Sequence, residues 1–323
     1  MHRRKPELFR FVVQPDEDGI PLAQLLRGRF GMSRGMIRRL KREPSVFSNG
    51  EAIPLRHRVR AGETITLLLP AAPESGVLAE PGPLDIVFED RHLLVVDKPA
   101  GVLVHPAGYE QTGTLANAVA HRLASQGYPG GAGAVTRLDR DTSGLVLFAK
   151  HPHAHHRMSR ALAEGAVSRR YIAVAHGEMR RDEGTVDAPI RRESPTSSLR
   201  LVGPGGQRAV THFRVLARAH PSPLFPRGAS LVELALETGR THQIRVHLAH
   251  LGHPLVGDRL YGGGPESVPG APPLPRHALH AYRLEFPHPI SGERLCFSSA
   301  PPADMQPLVE AFDGGAEALR DRL

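Results

Sequence analysis

Arg137-Leu138-Asp139-Arg140-Asp141-Thr142-Ser143-Gly144-Leu145-Val146-Leu147-Phe148 decides the reading of this 323-residue chain. Its second half is a short, continuous apolar run opened by a glycine, the pattern of a strand buried on both faces. Its first half sets Asp139 and Asp141 among arginines. An aspartate beside guanidinium groups stays ionised, because positive charge favours the carboxylate over the acid. Asp139 is therefore a candidate anionic nucleophile or base at the entrance to a buried strand. The residues alone leave two other readings open. One is a structural ion pair in a loop. The other is a divalent-ion site built on Asp139 and Asp141 for nucleotidyl or sugar transfer, which Arg137 and Arg140 crowd with positive charge.

Outward from that stretch, strands and helices alternate. The pattern predicts a buried strand at 93–96, closed by the turn Pro99-Ala100-Gly101, and an amphipathic helix at 115–123 capped by Thr114. A flexible glycine loop spans 130–133, a helix at 154–164 stops at Gly165, and 171–175 is a strand. Residues 209–217 and 231–237 alternate apolar and polar, as half-buried antiparallel strands do, and 240–251 reads as a helix ended by Gly252 and Pro254.

Upstream, 19–69 forms a compact unit. Ile20, Leu22, Leu25, Leu26 and Phe30 have helical spacing, and Ser33 caps a second helix that turns Met36, Ile37 and Leu40 inward. Strands follow from Val46 to the Asn49-Gly50 turn and over 65–69. Four prolines and two glycines mark 70–83 as a linker. The domain plan is an extension at 1–18, the small unit at 19–69, the linker, a main domain at 84–302 and a tail at 303–323.

Charge is concentrated. The chain carries +8, and between Arg27 and Arg60 stand ten basic residues and two acids, so the remainder sums to zero. Such a cluster predicts a surface that tracks phosphates, and Arg34, Arg38, Arg39, Lys41, Arg42, Arg56 and Arg58 are its candidates. Aromatic residues make up only 5% of the chain, which favours backbone contact over base stacking. Cys296 is the only cysteine, which excludes a disulfide framework, a multi-cysteine zinc site and a C-x-x-C redox pair and fits a cytoplasmic protein. Residues 9–13 are too few for a signal h-region, and no apolar run reaches the ~18 residues of a membrane span.

Several enzyme classes are absent as patterns. No lysine follows a glycine, so there is no P-loop, and Thr136 stands where a dinucleotide fingerprint starting at Gly131 needs its last glycine. The clusters His151, His153, His155, His156 and His242, His247, His250, His253 lack a carboxylate or cysteine at ligand spacing, so no metal is expected.

The opening stretch, continued through Ala149-Lys150, resembles the active-site motif of the RluA-type pseudouridine synthases, H-R-L-D-x-x-T-S-G before an apolar strand. Thr136 replaces the usual His. Leu94-Val95-Val96-Asp97-Lys98-Pro99-Ala100-Gly101-Val102-Leu103-Val104-His105-Pro106 resembles the family's first motif, and Arg169-Arg170-Tyr171 its Lys-x-Tyr element. Thr238-Gly239-Arg240-Thr241-His242-Gln243-Ile244-Arg245-Val246-His247 resembles its third, continued by Gly252-His253-Pro254-Leu255-Val256-Gly257-Asp258. His280-Ala281-Tyr282-Arg283-Leu284 and Phe286-Pro287-His288-Pro289 complete the ordered set. Residues 19–69 are similar to the alpha-L RNA-binding domain, although Arg42-Glu43-Pro44-Ser45-Val46-Phe47 departs from its usual Gly-x-Val run.

The resemblance implies an α+β fold: a mixed, largely antiparallel sheet core preceded by a small α/β RNA-binding domain. It implies isomerisation of uridine in RNA to pseudouridine without a cofactor. Carried over by position, Asp139 is the catalytic carboxylate, Arg245 its salt-bridge partner and Tyr171 the active-site tyrosine. Arg137, Thr142, Arg240, His242 and Ile244 are substrate-binding, with Arg137 filling the gap left by a flipped base. The implied partner is RNA, ribosomal first and transfer RNA second, with no membrane and no obligate protein partner. The competing class is a non-catalytic RNA-binding or ribosome-assembly protein, which the intact set Asp139, Tyr171 and Arg245 argues against.

Overall fold

Two apolar patterns build two sheets. The computed structural model describes residues 6–70, 76–128, 131, 133–264, 270, 274–320 and 322. Residues 71–75 of the expected linker, and 130 and 132 of the expected glycine loop, lie outside these.

The smaller sheet holds β1 (Glu7–Val12), β2 (Val46–Ser48), β3 (Glu51–Ala52) and β4 (Thr64–Leu68) in the order β1-β4-β2-β3. Helices α1 (Leu22–Gly28) and α2 (Arg34–Leu40) pack Leu22, Leu26, Met36 and Ile37 against Leu8, Phe11, Ile65 and Leu67. The Ser33 hydroxyl accepts the Met36 N–H at 3.2 Å, the expected cap. Helix α1 starts later than its apolar spacing implies, because Pro21 holds an extended ψ of 129° and leaves Ile20 outside.

Residues 6–18, expected to be part of an extension, do not stand apart. Strand β1 pairs with β4, Phe11 opposite Ile65, and Leu8, Phe9, Phe11 and Val13 enter the small core. A bulge between Glu7 and Phe9 buries both Leu8 and Phe9, which breaks the period of two by which a strand is recognised. Strand β1 also seats the small unit on the rest of the chain. The Phe9 ring lies 6.3 Å from that of His153, Glu7 pairs with Arg91 at 3.0 Å, and Tyr128 and Ile290 pack on the small core.

The large sheet contains β5 (Asp85–Glu89), β6 (Leu93–Lys98), β7 (Gly133–Ala134), β8 (Ser143–Ala149), β9 (Ser168–His176) and β10 (Glu183–Asp187). The chain then makes a separate hairpin of β11 (Ile190–Arg192) and β12 (Arg200–Val202). It returns to the sheet as β13 (Val210–Ala219), β14 (Ala229–Leu236), β15 (Leu279–Pro287) and β16 (Arg294–Ser298). The order is β10-β13-β14-β9-β15-β8-β6-β5, with β16 on β15 and β7 on β8. Among the described residues only β8 and β15 run parallel, so the fold is α+β with a mixed, mostly antiparallel sheet.

Strand β8 is buried on both faces, as its sequence requires. Val146 and Phe148 join Leu94 and Val96 against α3 (Leu115–Ser125), while Leu145, Leu147 and Ala149 join Leu93 and Val95 against α4 (Pro152–Ala163). Gly144 lets β8 meet β15. Its φ is +114°, and a Cβ there would lie 2.3 Å from the Ala281 carbonyl oxygen. The tail is likewise part of the body. Helices α6 (Gln306–Glu310) and α7 (Gly315–Arg320) follow β16, and Met305, Leu308, Val309 and Phe312 share a core with Ile172, Val174 and Tyr282. No helix among the described residues is long and apolar enough to cross a membrane.

Candidate active site

Asp139 lies on the loop that feeds β8, and α5 (Gln243–His250) brings Arg245 to it, with Nη1 3.4 Å from Oδ2. The tighter partner of Arg245 is Asp258, which it grips with both prongs: Nε to Oδ2 at 2.7 Å and Nη2 to Oδ1 at 2.8 Å. That pair fixes the guanidinium plane and leaves one edge for Asp139. Burial alone would depress the guanidinium, but the bond to Asp258 and the charges of both carboxylates hold it above its ordinary pKa. The Tyr261 ring lies 5.0 Å from the same guanidinium, a cation–π contact. Asp139, Arg245 and Asp258 line a cleft of about 330 Å³ that also includes Asp141, His242, Arg276 and His277.

His242 enters the cleft from a left-handed backbone conformation, φ 57°, at the head of α5. For a non-glycine residue this costs of order 1–3 kcal/mol, strain that the surrounding contacts must hold. The Tyr261 hydroxyl accepts the Arg200 N–H at 3.0 Å and shares a hydrogen bond with His242 Nδ1 at 2.8 Å. Burial keeps the His242 ring below its ordinary pKa.

The Asp139 loop is pinned from beneath. Lys98, fully buried at the end of β6, donates to the carbonyls of Pro99, Val102 and Arg140 at 2.9, 2.8 and 2.7 Å. Burial pulls its pKa down to about 7 against the opposing charges of Asp141 and Asp139. Three acceptors use all three hydrogens of an ammonium, so the bonding favours the charged form. Arg276, clamped by Asp304 at 2.7 and 2.8 Å, donates to the Asp141 carbonyl at 3.1 Å. The Thr136 hydroxyl accepts the Leu147 N–H at 2.9 Å, so the residue that departs from the family pattern serves the backbone of β8. Lys98→Met would remove a donor from three part-buried carbonyls, of which Arg140's keeps the Gly101 N–H. It is expected to destabilise the protein by about 2–4 kcal/mol, measured by urea unfolding.

Not every expected site residue reaches the cleft. Thr142 is 2% exposed and its hydroxyl is bonded to His277 Nε2 at 2.7 Å, and Ile244 is 4% exposed within the core that holds Tyr171. Both shape the site from behind rather than meeting a ligand, because the loop turns Thr142 inward and the phase of α5 points Ile244 into the core. Tyr171, on β9, is also largely buried; burial and the charge of Asp139 raise its pKa, so the phenol stays protonated. Arg137 is exposed and makes no hydrogen bond or ion pair among the described residues. Arg240 is exposed, with Nε on the Arg208 carbonyl at 3.0 Å. In the small unit, Arg34, Arg38, Lys41, Arg42, Arg56 and Arg58 are exposed and Arg39 is half-buried, with no carboxylate partner among the described residues. Among those residues no group of three or more His, Cys, Asp or Glu is arranged to hold a metal ion.

Residues 92–250 match the family model for RNA pseudouridylate synthase. The Bacillus subtilis protein YhcT, described as an uncharacterized RNA pseudouridine synthase, is 41% identical over 304 residues, which is 94% of this chain and 97% of that relative. Ribosomal large subunit pseudouridine synthase D of Vibrio parahaemolyticus is 41% identical over 310 residues, 93% of each chain. Among solved structures, human RNA pseudouridylate synthase domain containing 1 superposes with a TM-score of 0.55 at 30% identity, covering 72% of this chain and 91% of that one. Fold and relatives together define an RNA-modifying isomerase. This chain belongs to the RNA pseudouridine synthase family, which converts uridine in RNA to pseudouridine.

Proposed function

We propose that the substrate is large-subunit ribosomal RNA, modified in the cytoplasm, and that Asp139 is the group that acts on the target nucleotide. The observation that carries the catalytic reading is the single arrangement of Asp139, Arg245 and Asp258 around one cleft. The ribosomal reading is supported by the similarity to ribosomal large subunit pseudouridine synthases D.

The reaction balances without any other reagent. The bond from C1′ of the ribose to N1 of uracil breaks, a bond from C1′ to C5 forms, C5 gives up its hydrogen and N1 gains one. The work asked of the protein is to hold an anion at the nucleotide and to keep the detached base in place. Asp139 supplies the anion, and the edge of Arg245 that Asp258 leaves free orients it. Tyr171, as a neutral phenol, presents a ring to the uracil. His242, held through Nδ1 by the Tyr261 hydroxyl, turns a polar ring edge toward the cleft. Arg137, exposed on the surface, fills the vacancy left in the RNA stack, offsetting part of the few kcal/mol that flipping costs.

Pseudouridine mapping in total RNA tests the substrate. Cells lacking the gene should lose pseudouridine at positions in large-subunit RNA, whereas a loss confined to transfer RNA would overturn the ribosomal reading. Long-range attraction should come from the small basic unit. Because β1 seats that unit on the body, point variants are the cleaner probe than deletion. Replacing Arg34, Arg38, Arg39 and Lys41 with glutamine is expected to flatten the log–log salt dependence of RNA binding by about 3, at roughly 0.7–0.9 per cation. An unchanged slope would mean that these cations do not meet phosphates.

A further inference from the structure

Arg276 and Asp304 carry none of the family motifs quoted above, and Asp304 falls in the segment expected to be a tail. The two form a fork, Nε to Oδ2 at 2.7 Å and Nη2 to Oδ1 at 2.8 Å, in which the arginine side chain is 4% exposed and the aspartate 36%. The remaining nitrogen, Nη1, donates to the carbonyls of Asp141 at 3.1 Å and of His277 and Leu279 at 3.2 Å. Among the described residues no other carboxylate bonds this guanidinium. The Asp141 carbonyl belongs to the turn that carries Asp139, closed by the Thr142 N–H on the Asp139 carbonyl at 3.1 Å. Lys98 holds the carbonyl just before it, that of Arg140, so two buried cations grip two successive carbonyls directly after Asp139. Asp304 is itself fixed, because the next residue, Met305, is fully buried in the core that holds Ile172, Val174 and Tyr282.

We propose that Asp304 is a positioning residue for the isomerisation: by setting the plane of Arg276 it holds the Asp141 carbonyl, and with it the turn from which Asp139 meets the nucleotide. The proposal rests on the reading of Asp139 as the acting group. A planar guanidinium gripped at two nitrogens has the direction of its third nitrogen dictated, which a single bond would not achieve. Without the Asp304 charge, Arg276 would be a buried cation facing only carbonyls, and turning it toward water would release the turn. An error of about 1 Å in the placement of a reacting group can cost about 10²-fold in rate. Arg276 is too deeply buried to act on substrate itself, so its effect passes through the loop. RNA affinity comes from cations elsewhere, so the defect should fall on turnover rather than on binding.

The test is the full chain carrying D304N, R276K or both, assayed for kcat and KM on a large-subunit RNA transcript well below each variant's melting midpoint. D304N should lower kcat about ten-fold and R276K about thirty-fold, each with KM within about three-fold of wild type, since lysine is a point charge that cannot form the fork. The double variant should turn over within about three-fold of R276K alone, because Asp304 acts only through that guanidinium. If R276K fails to fold, D304N, altered at the more exposed end of the pair, still shows the split between kcat and KM. A lowered melting point with wild-type kcat would mark the pair as merely structural, and losses that multiply to about 300-fold in the double variant would show that Asp304 does not act through Arg276; either result overturns the proposal. No isomerisation by the unmodified enzyme, or full turnover by Asp139→Asn, would instead overturn the reading of Asp139 on which it rests.

Discussion

Asp139→Asn is expected to lower turnover by about 10⁴-fold or more while leaving the fold and RNA affinity nearly unchanged. The amide keeps the shape of the carboxylate but cannot act as an anion. In many sites, removing one member of a buried ion pair leaves its partner stranded, and the resulting loss of stability obscures the loss of chemistry. Here Arg245 keeps its two short bonds to Asp258, and the bond to Asp139 is the long one, at 3.4 Å. The stability change should therefore stay below about 1 kcal/mol, within the range of an exposed ion pair. Single-turnover rates, a melting curve and an RNA titration on the purified variant check all three parts. A variant that turns over within ten-fold of wild type would remove Asp139 from the chemistry.

The second large effect is expected in acid. His92, His153 and His280 are pushed by burial down to about 4, His277 to about 2, and His151 well below its ordinary value. The hydrogen bonds agree. His151 Nδ1 accepts the Ala154 N–H, so its Nε2 must donate to His92 Nδ1, and an added proton would set donor against donor. Among the described residues His153 is buried with no hydrogen-bond partner for either ring nitrogen. In the unfolded chain all five titrate near about 6.5. As pH falls below that value the unfolded state binds protons first, so the stability present above about 6.5 is lost progressively toward pH 4. Each histidine contributes about 1.4 kcal/mol per pH unit, and five together about 7, which is comparable with the whole stability of a typical domain. Glu89 and Asp90, held at about 2, remain ionised through most of this window and do not offset the loss. The urea midpoint should fall steeply between pH 6.5 and 5; a flat midpoint across that range would show that these rings are not buried neutral.

Much of this was readable from local pattern, and the exceptions have physical causes. The double-faced strand β8 and the caps Ser33 and Thr114 follow from short-range rules, and the structure reproduces them. Strand β1 was hidden by a bulge that buries two successive residues. The inward turn of Ile244 was hidden because Gln243 through Leu248 are all buried, so α5 has no polar stripe to set its phase. Asp258 and Tyr261 could not be assigned as partners of Arg245 and His242 from spacing, because the chain reaches them only after α5 ends and turns back. Lys98 stood inside a quoted motif, yet its work on the Asp139 loop depends on Arg140, a neighbour only in space. The hairpin of β11 and β12 has three residues per strand, too few for any periodicity to show.

Release of tritium from large-subunit RNA labelled at C5 of uracil tests the central claim most directly, because forming the bond from C1′ to C5 must expel that hydrogen. The purified protein should release it with only buffer and salt present, and Asp139→Asn should release none above background. Equal release by the two, or none by a folded wild-type protein on a complete set of ribosomal and transfer RNAs, would contradict the account.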